Sequence, residues 1–169
     1  LGIFPLASAA LAERGFHVAY ISRRMSSKPL TDLLWGLARE RAVEMIPAHP
    51  RELCLNESLK HLRSGGVLII LGDQRSATST VEVPFFGVPT ATALGPAVLA
   101  ARSRAAMLPA SCARLGRGEH LLHVGEPIPG GKNFEERAAA MNKSFERWIR
   151  RYPEQWLWLH KRDGASPLP

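Results

Sequence analysis

Cysteine is scarce in this chain. Cys54 and Cys112 are its only two, and they form neither a disulfide framework nor a metal-ligand spacing. Both stand among apolar neighbours, so they read as buried structural thiols compatible with a reducing compartment. Long hydrophobic runs are missing too: no stretch approaches the roughly 18 to 20 apolar residues of a helical membrane span. No G-x-x-x-x-G-K-[ST], G-x-S-x-G or G-x-G-x-x-G fingerprint occurs, which removes the usual phosphate-loop, nucleophile-elbow and dinucleotide readings. Repeats, linkers and low-complexity segments are absent. The N-x-[ST] triplets starting at Asn56 and Asn142 fall inside expected helices and read as chance. The chain opens at Leu1 without an initiator methionine, within what reads as an element, and is expected to be an N-terminally truncated piece. It therefore cannot report on a signal peptide.

Acidic residues are in deficit. Against 15 Asp and Glu stand 22 Lys and Arg, for a net charge of +7 and a sequence pI of about 10.1. Such a surface attracts polyanions: nucleic acid, anionic lipid headgroups or an acidic protein. The charge is spread over Arg23-Arg24, Lys28, Arg39, Arg41, Arg102, Arg104, Arg147, Arg150-Arg151 and Lys161-Arg162. No RRM, KH or helix-turn-helix signature accompanies it, and the aromatics are not interleaved with it, which argues against nucleic acid. With 46% apolar and 22% charged residues, the composition is that of a globular protein. A chain of 169 residues suits one domain with a substantial core, expected over 1–163 with a frayed tail at 164–169.

Helices are expected over 5–14, 29–42, 50–63, from Thr92 as N-cap to about Ser103, and over 134–151. The second carries Leu30, Leu33, Leu34 and Leu37 at helical spacing. The last places Phe134, Ala138, Met141, Phe145, Trp148 and Ile149 on one face. Strands are expected at 17–22, 43–46, 67–71, 106–113, 120–124 and 156–159, with a short extended piece at 81–84. Alternation of helices and strands predicts an α/β domain with a largely parallel central sheet flanked by helices.

The segment from Val67 to Gly87, VLIILGDQRSATSTVEVPFFG, bears the most chemistry. Its apolar run suits a strand buried on both faces, and it stops at Gly72 to deliver Asp73 and Gln74. Ligand sites in open α/β sheets lie beyond the carboxyl ends of such strands, so Asp73 is the candidate catalytic carboxylate. Arg24 follows the strand at 17–22, where its guanidinium fork suits a carboxylate or phosphate. The histidines offer less. His120 and His123 point to opposite faces of a strand, and His17, His49 and His61 have no acidic or cysteine partner at a ligand spacing. Structural or surface histidines are expected, and no metal.

These residues resemble a known family, the bacterial lipid A biosynthesis (lauroyl/myristoyl) acyltransferases. Asp73-Gln74 is similar to the family's Asp-Gln pair after a buried strand. Val83-Pro84-Phe85-Phe86-Gly87, then Ala91-Thr92 and Gly95-Pro96, resembles its "VPFFG…AT..GPA.LA" segment, and Met107-Leu108-Pro109 occupies the place of its "apv.P" strand. Glu146-Arg147-Trp148-Ile149-Arg150, Pro153-Glu154-Gln155-Trp156 and Trp158-Leu159-His160-Lys161-Arg162 together resemble the closing "E.WIR..PEQWLW.H.R" signature. The likeness runs through nearly the whole chain.

The resemblance implies a glycerolipid-acyltransferase-like fold and transfer of a fatty acyl chain from acyl carrier protein to a hydroxyl of a lipid A precursor or related lipid. It implies neither cofactor nor metal. The family's base is the histidine of an H-x-x-x-x-[DE] motif, which takes the acceptor proton as the hydroxyl attacks the thioester. GIFPLASAALAERG aligns with the family's "GNWE…A…RG". That alignment puts the histidine immediately before Leu1, the acid position on Pro5 and the asparagine position on Ile3. Arg24 matches the family's arginine after the second strand, with Lys28 in place of its partner asparagine. Asp73 becomes the candidate substitute acid, Arg24, Gln74, Phe85 and Phe86 the candidate substrate-binding residues, and the 169 residues alone are expected to be inactive. The basic surface suits acidic acyl carrier protein and an anionic membrane surface. The implied location is the cytoplasmic face of a bacterial inner membrane, peripheral or N-terminally anchored. The alternatives are a non-catalytic basic lipid-binding module on the same fold and a glycerolipid-type transferase using acyl-CoA.

Overall fold

A computed structural model describes residues 4–23, 25–74, 79–130 and 133–158. The chain divides into two compact units, one formed by Pro5–Ile70 with Arg102–Ala105, the other by Leu71–Ala101 and Ala106–Pro169 with Leu1–Phe4. The Pro5–Ile70 unit alternates helix and strand: α1 (Phe4–Glu13), β1 (Val18–Ser22), α2 (Lys28–Glu40), β2 (Val43–Pro47), α3 (Arg51–Arg63) and β3 (Val67–Ile69). Its strands form a parallel sheet in the order β2-β1-β3, with Val18 opposite both Val43 and Val67. Parallel neighbours need long crossovers, and the helices supply them. This is the expected α/β class.

The centre of this sheet is β1, where Val18 and Ala19 are fully buried and Tyr20 nearly so. The sequence predicts the apolar run at 67–71 to be a strand buried on both faces. It pairs only over Val67–Ile69 and is half-buried throughout, because it has β1 on one side and no described strand on the other. Helix α2 begins as its composition dictates, with Ser27 as N-cap accepting from the Leu30 N–H and Pro29 in the first turn. Its leucine stripe points outward: Leu30, Leu33, Leu34 and Leu37 are 37–58% exposed. Cys54 is half-buried and Cys112 buried, both as free thiols. Burial pushes the Cys54 thiol up from its ordinary pKa.

The second unit is built differently. Two antiparallel hairpins, β4 (Thr80–Phe85) with β5 (Val88–Ala93) and β6 (Ala110–Gly116) with β7 (Glu119–Val124), join α4 (Gly95–Ser103) and α5 (Phe134–Arg151). Among the described residues, parallel pairing is thus confined to the first unit. Strand β5 occupies residues read as a helix start. Thr92 is no N-cap; its hydroxyl donates to the Thr90 carbonyl inside the strand, and the helix begins at Gly95. The strand expected at 156–159 is absent over its described residues, where a 3-10 turn at Pro153–Gln155 leads into irregular chain.

Helix α5 organises this unit. Asn133 caps it, accepting from the Glu136 N–H at 2.8 Å. Glu135 and Glu136 in its first turn and Arg150 and Arg151 in its last complement the helix dipole. Its buried face carries Ala138, Met141 and Ile149. Between them the fully buried Asn142 donates to the Pro84 carbonyl at 3.1 Å and to Thr92 Oγ1 at 2.9 Å. A buried amide without partners would be costly; here it ties both strands of the β4–β5 hairpin to the helix. None of the described helices is long and apolar enough to cross a membrane.

Candidate functional site

Beyond β3 the chain turns through Gly72, Asp73 and Gln74. Gly72 makes a close approach: a Cβ there would lie 3.1 Å from Met141 Sδ and 3.2 Å from the Phe145 ring, tight enough that those side chains would have to give. The turn therefore rests directly on α5. Asp73 is half-buried and Gln74 exposed. Arg24 lies outside the described residues.

Phe85 and Phe86 sit where β4 turns into β5. With Phe85 opposite Val88, Phe86 and Gly87 form a two-residue hairpin loop, with φ of 51° and 81°. Positive φ at both positions marks a type I′ turn, which normally takes Asn-Gly. An aromatic residue there is strained, and α5 supplies what holds it. The Phe86 N–H donates to Glu146 Oε1 at 2.7 Å. Glu146 also pairs with Arg150 one helical turn on, at 3.2 Å. The Arg150 guanidinium in turn lies 4.9 Å above the Phe86 ring centroid, within cation–π range. Phe85 is buried, its ring 4.8 Å from that of Phe86 and 5.7 Å from that of Trp156. Phe86 stays partly open.

The closing signature has a structural task. Gln155 Oε1 accepts from the Arg114 N–H at 2.8 Å, and its Nε2 donates to the Arg114 carbonyl at 3.0 Å. One side-chain amide thus satisfies both backbone groups of a residue in β6. Trp158 Nε1 donates to the Pro153 carbonyl at 2.7 Å, Trp156 and Trp158 meet edge to face, and Trp148 packs on His123 at 3.9 Å. The family-like segments around Asp73, Phe86 and Glu146–Trp158 thus all dock on or beside α5.

One reading of the histidines is corrected. His17 and His61 do have an acidic partner, and it is the same one: His17 Nε2 lies 2.8 Å from Glu44 Oε1 and His61 Nδ1 lies 3.4 Å from Glu44 Oε2. The hydrogen bond to His17 is the main reason the Glu44 carboxyl lies below its usual pKa. Sequence spacing could not reveal this trio, because pairing of β1 with β2 and packing of α3 create it.

Comparison with known proteins agrees with the motifs. The family described as bacterial lipid A biosynthesis acyltransferase matches residues 4–162. The chain is 34% identical over 151 residues to a lipid A biosynthesis lauroyltransferase of Escherichia coli, covering 85% of this chain and 48% of that protein. It is 32% identical over 135 residues to a lipid A biosynthesis acyltransferase of Haemophilus influenzae, covering 78% and 41% respectively. A phosphatidylinositol mannoside acyltransferase of Mycobacterium tuberculosis is 30% identical over 118 residues, covering 69% and 37%. The matched region thus spans less than half the length of each of these relatives. With the Asp73-Gln74 turn and the Phe85-Phe86 loop held by one helix, and the family match running over almost every residue, the chain belongs to the bacterial lipid A biosynthesis acyltransferase family.

Proposed function

We propose that the intact protein transfers a fatty acyl chain from acyl carrier protein to a hydroxyl of a lipid A precursor or a related glycolipid. The observation that carries this reading is the docking of both chemistry-bearing loops on α5: Gly72 against Met141 and Phe145, and Phe86 against Glu146 and Arg150. A rigid helix beneath two loops is the kind of support that keeps reacting groups in register. In this proposal Asp73 orients the catalytic base, the role Pro5 cannot fill. Phe86 offers the acyl chain an apolar contact backed by Phe85, while Gln74 and Arg24 bind polar parts of the substrates. The net charge of +7 favours docking of acidic acyl carrier protein. The outward leucines of α2, near Arg39 and Arg41, suit the face of an anionic bilayer, which supports a place on the cytoplasmic side of the inner membrane.

The test is acyl transfer by the intact enzyme, assayed with acyl carrier protein thioesters and a lipid A precursor. Asp73→Ala is expected to lower kcat by about 100-fold or more, in the range of general acid–base contributions, in protein whose folding is checked by thermal unfolding. Near-normal turnover would remove Asp73 from the site.

A second reading rests on Pro5, which lies in α1 with its carbonyl accepting from Ser8 Oγ and has no acid to offer. On that reading the protein is a basic lipid-binding module without chemistry. Binding of the intact protein to anionic vesicles, without transfer from either acyl carrier protein or acyl-CoA thioesters, would favour it.

A further inference from the structure

His17, Glu44 and His61 meet at the amino-terminal end of the parallel sheet. His17 immediately precedes β1, Glu44 is the second residue of β2, and His61 stands in the last turn of α3. Ligand sites in α/β sheets ordinarily lie at the other, carboxyl-terminal end, so this trio is separate from the residues assigned to acyl transfer. The candidate ligand atoms all fall within 4.8 Å of one another.

The hydrogen bonding around His61 is what makes the trio informative. Its side chain is only 3% exposed, and its Nε2 lies 3.2 Å from the Val67 carbonyl oxygen. A carbonyl only accepts, so Nε2 carries the proton, and in the neutral ring Nδ1 is left as a bare lone pair. That atom is buried without a hydrogen-bond partner, and 3.4 Å away it faces Glu44 Oε2, another lone-pair bearer. Two acceptors directed at one another, one of them on a buried ring, repel unless a cation lies between them. A ring nitrogen donating to a backbone carbonyl while the other stays free is also the usual outer-shell arrangement of a metal-bound histidine. The ring is held in that orientation from beneath, because Gly66 leaves the space a Cβ would take, 2.3 Å from His61 Nε2. The ring also meets that of His17, ring centroids 4.5 Å apart.

We propose that His61 Nδ1, Glu44 and His17 Nε2 form a divalent transition-metal site suited to Zn²⁺. Two imidazoles and one carboxylate are a ligand set zinc takes in proteins, with a water in the fourth position. Tetrahedral zinc with bonds of ~2.0–2.2 Å holds its ligand atoms about 3.3 Å apart. The 2.8 and 3.4 Å contacts are made by the two oxygens of Glu44, and all the candidate atoms lie within 4.8 Å of one another, so closing on one ion takes a small turn of the carboxylate and the His17 ring. His17 and Glu44 are 53% and 55% exposed, so both can adjust, and the metal has an entry path from solvent. His17 currently donates from Nε2 to the carboxylate; on binding, its remaining proton resides on Nδ1 and Nε2 becomes the ligand. The open side faces a groove of about 680 Å³ lined also by Trp35, Arg39 and Glu57. Such a metal would cross-link β1, β2 and α3.

The intact protein, stripped with chelator, is titrated with Zn²⁺ and, separately, with Co²⁺, whose visible absorption reports four-coordinate geometry. One equivalent per chain is expected, with a rise in the unfolding midpoint. His17→Ala and Glu44→Gln alter half-exposed side chains and are expected to weaken binding at least roughly 10-fold, since even outer-shell losses cost ~10–100-fold. His61→Ala should abolish it. His49→Ala, outside the trio, should bind as wild type. If the wild type takes up no zinc, the cation between Nδ1 and the carboxylate is a proton and the proposal falls. It falls equally if both His17→Ala and Glu44→Gln bind as tightly as wild type, whether or not His61→Ala folds.

Discussion

Replacing Glu146 tests how the Phe86 turn is held. Its carboxylate is 15% exposed and accepts the backbone N–H of a phenylalanine at φ 51°. A hydrogen bond to a charged group is worth about 1.5–3 kcal/mol. The pair with Arg150, whose side chain is 61% exposed, adds at most ~0.5 kcal/mol as an i,i+4 pair near solvent. Glu146→Ala should therefore cost about 2–3 kcal/mol. Glu146→Gln keeps an acceptor oxygen for Phe86 and should cost only about 1 kcal/mol, the charge-assisted part of the bond. Unfolding in urea, followed by tryptophan fluorescence, measures both. In a chain of this size the same losses lower the thermal midpoint by roughly 2–4 °C per kcal/mol. A double-mutant cycle with Arg150→Ala should return a coupling below ~0.5 kcal/mol that shrinks further in high salt. If Glu146→Gln destabilises as much as Glu146→Ala, or the coupling carries most of the loss, the ion pair rather than the backbone acceptor holds the turn, and the reasoning is refuted.

Asn142→Ala should destabilise by about 1–3 kcal/mol, because it removes the bonds of a fully buried amide to Thr92 Oγ1 and to the part-buried Pro84 carbonyl; equilibrium unfolding checks this, and a loss under ~0.5 kcal/mol would mean water replaces the amide. Gly66→Ala forces the His61 ring out of its place and should cost about 1–3 kcal/mol as an overpacking change, read in the same assay. Gln155→Ala releases both backbone groups of Arg114 at a more exposed position. About 1 kcal/mol is expected, with faster amide hydrogen exchange at Arg114 as the local signature.

Legibility differed by element for physical reasons. Helix α5 was plain because its apolar residues recur at the helical period and its ends carry an Asn cap and charges matched to the dipole, all local properties. The β4–β5 hairpin was not, because its loop is Phe86-Gly87 rather than Asn-Gly, and Phe at positive φ is tolerated only with α5 behind it. Without that turn, Thr92 looked like a helix cap instead of a strand residue bonded to Asn142. The run from Val67 looked like a central strand because an apolar run does not reveal whether both neighbours are present; β1 took the centre. Of the candidate site, Asp73 and the Phe pair were marked by motif, whereas Glu146, Asn142 and Gln155 emerged as anchors only through bonds to strands 41 to 60 residues away.

Taken alone, the sequence determined the α/β class, the approximate helices, the basic surface and the family, because periodicity, capping, composition and motif order are written along the chain. Only the tertiary structure decided that α5 carries both the Asp73 turn and the Phe86 loop, that the α2 leucines face outward, and that His17 and His61 share Glu44. Each of these depends on which strands pair and which helix packs where, a cooperative choice made by residues far apart in the chain.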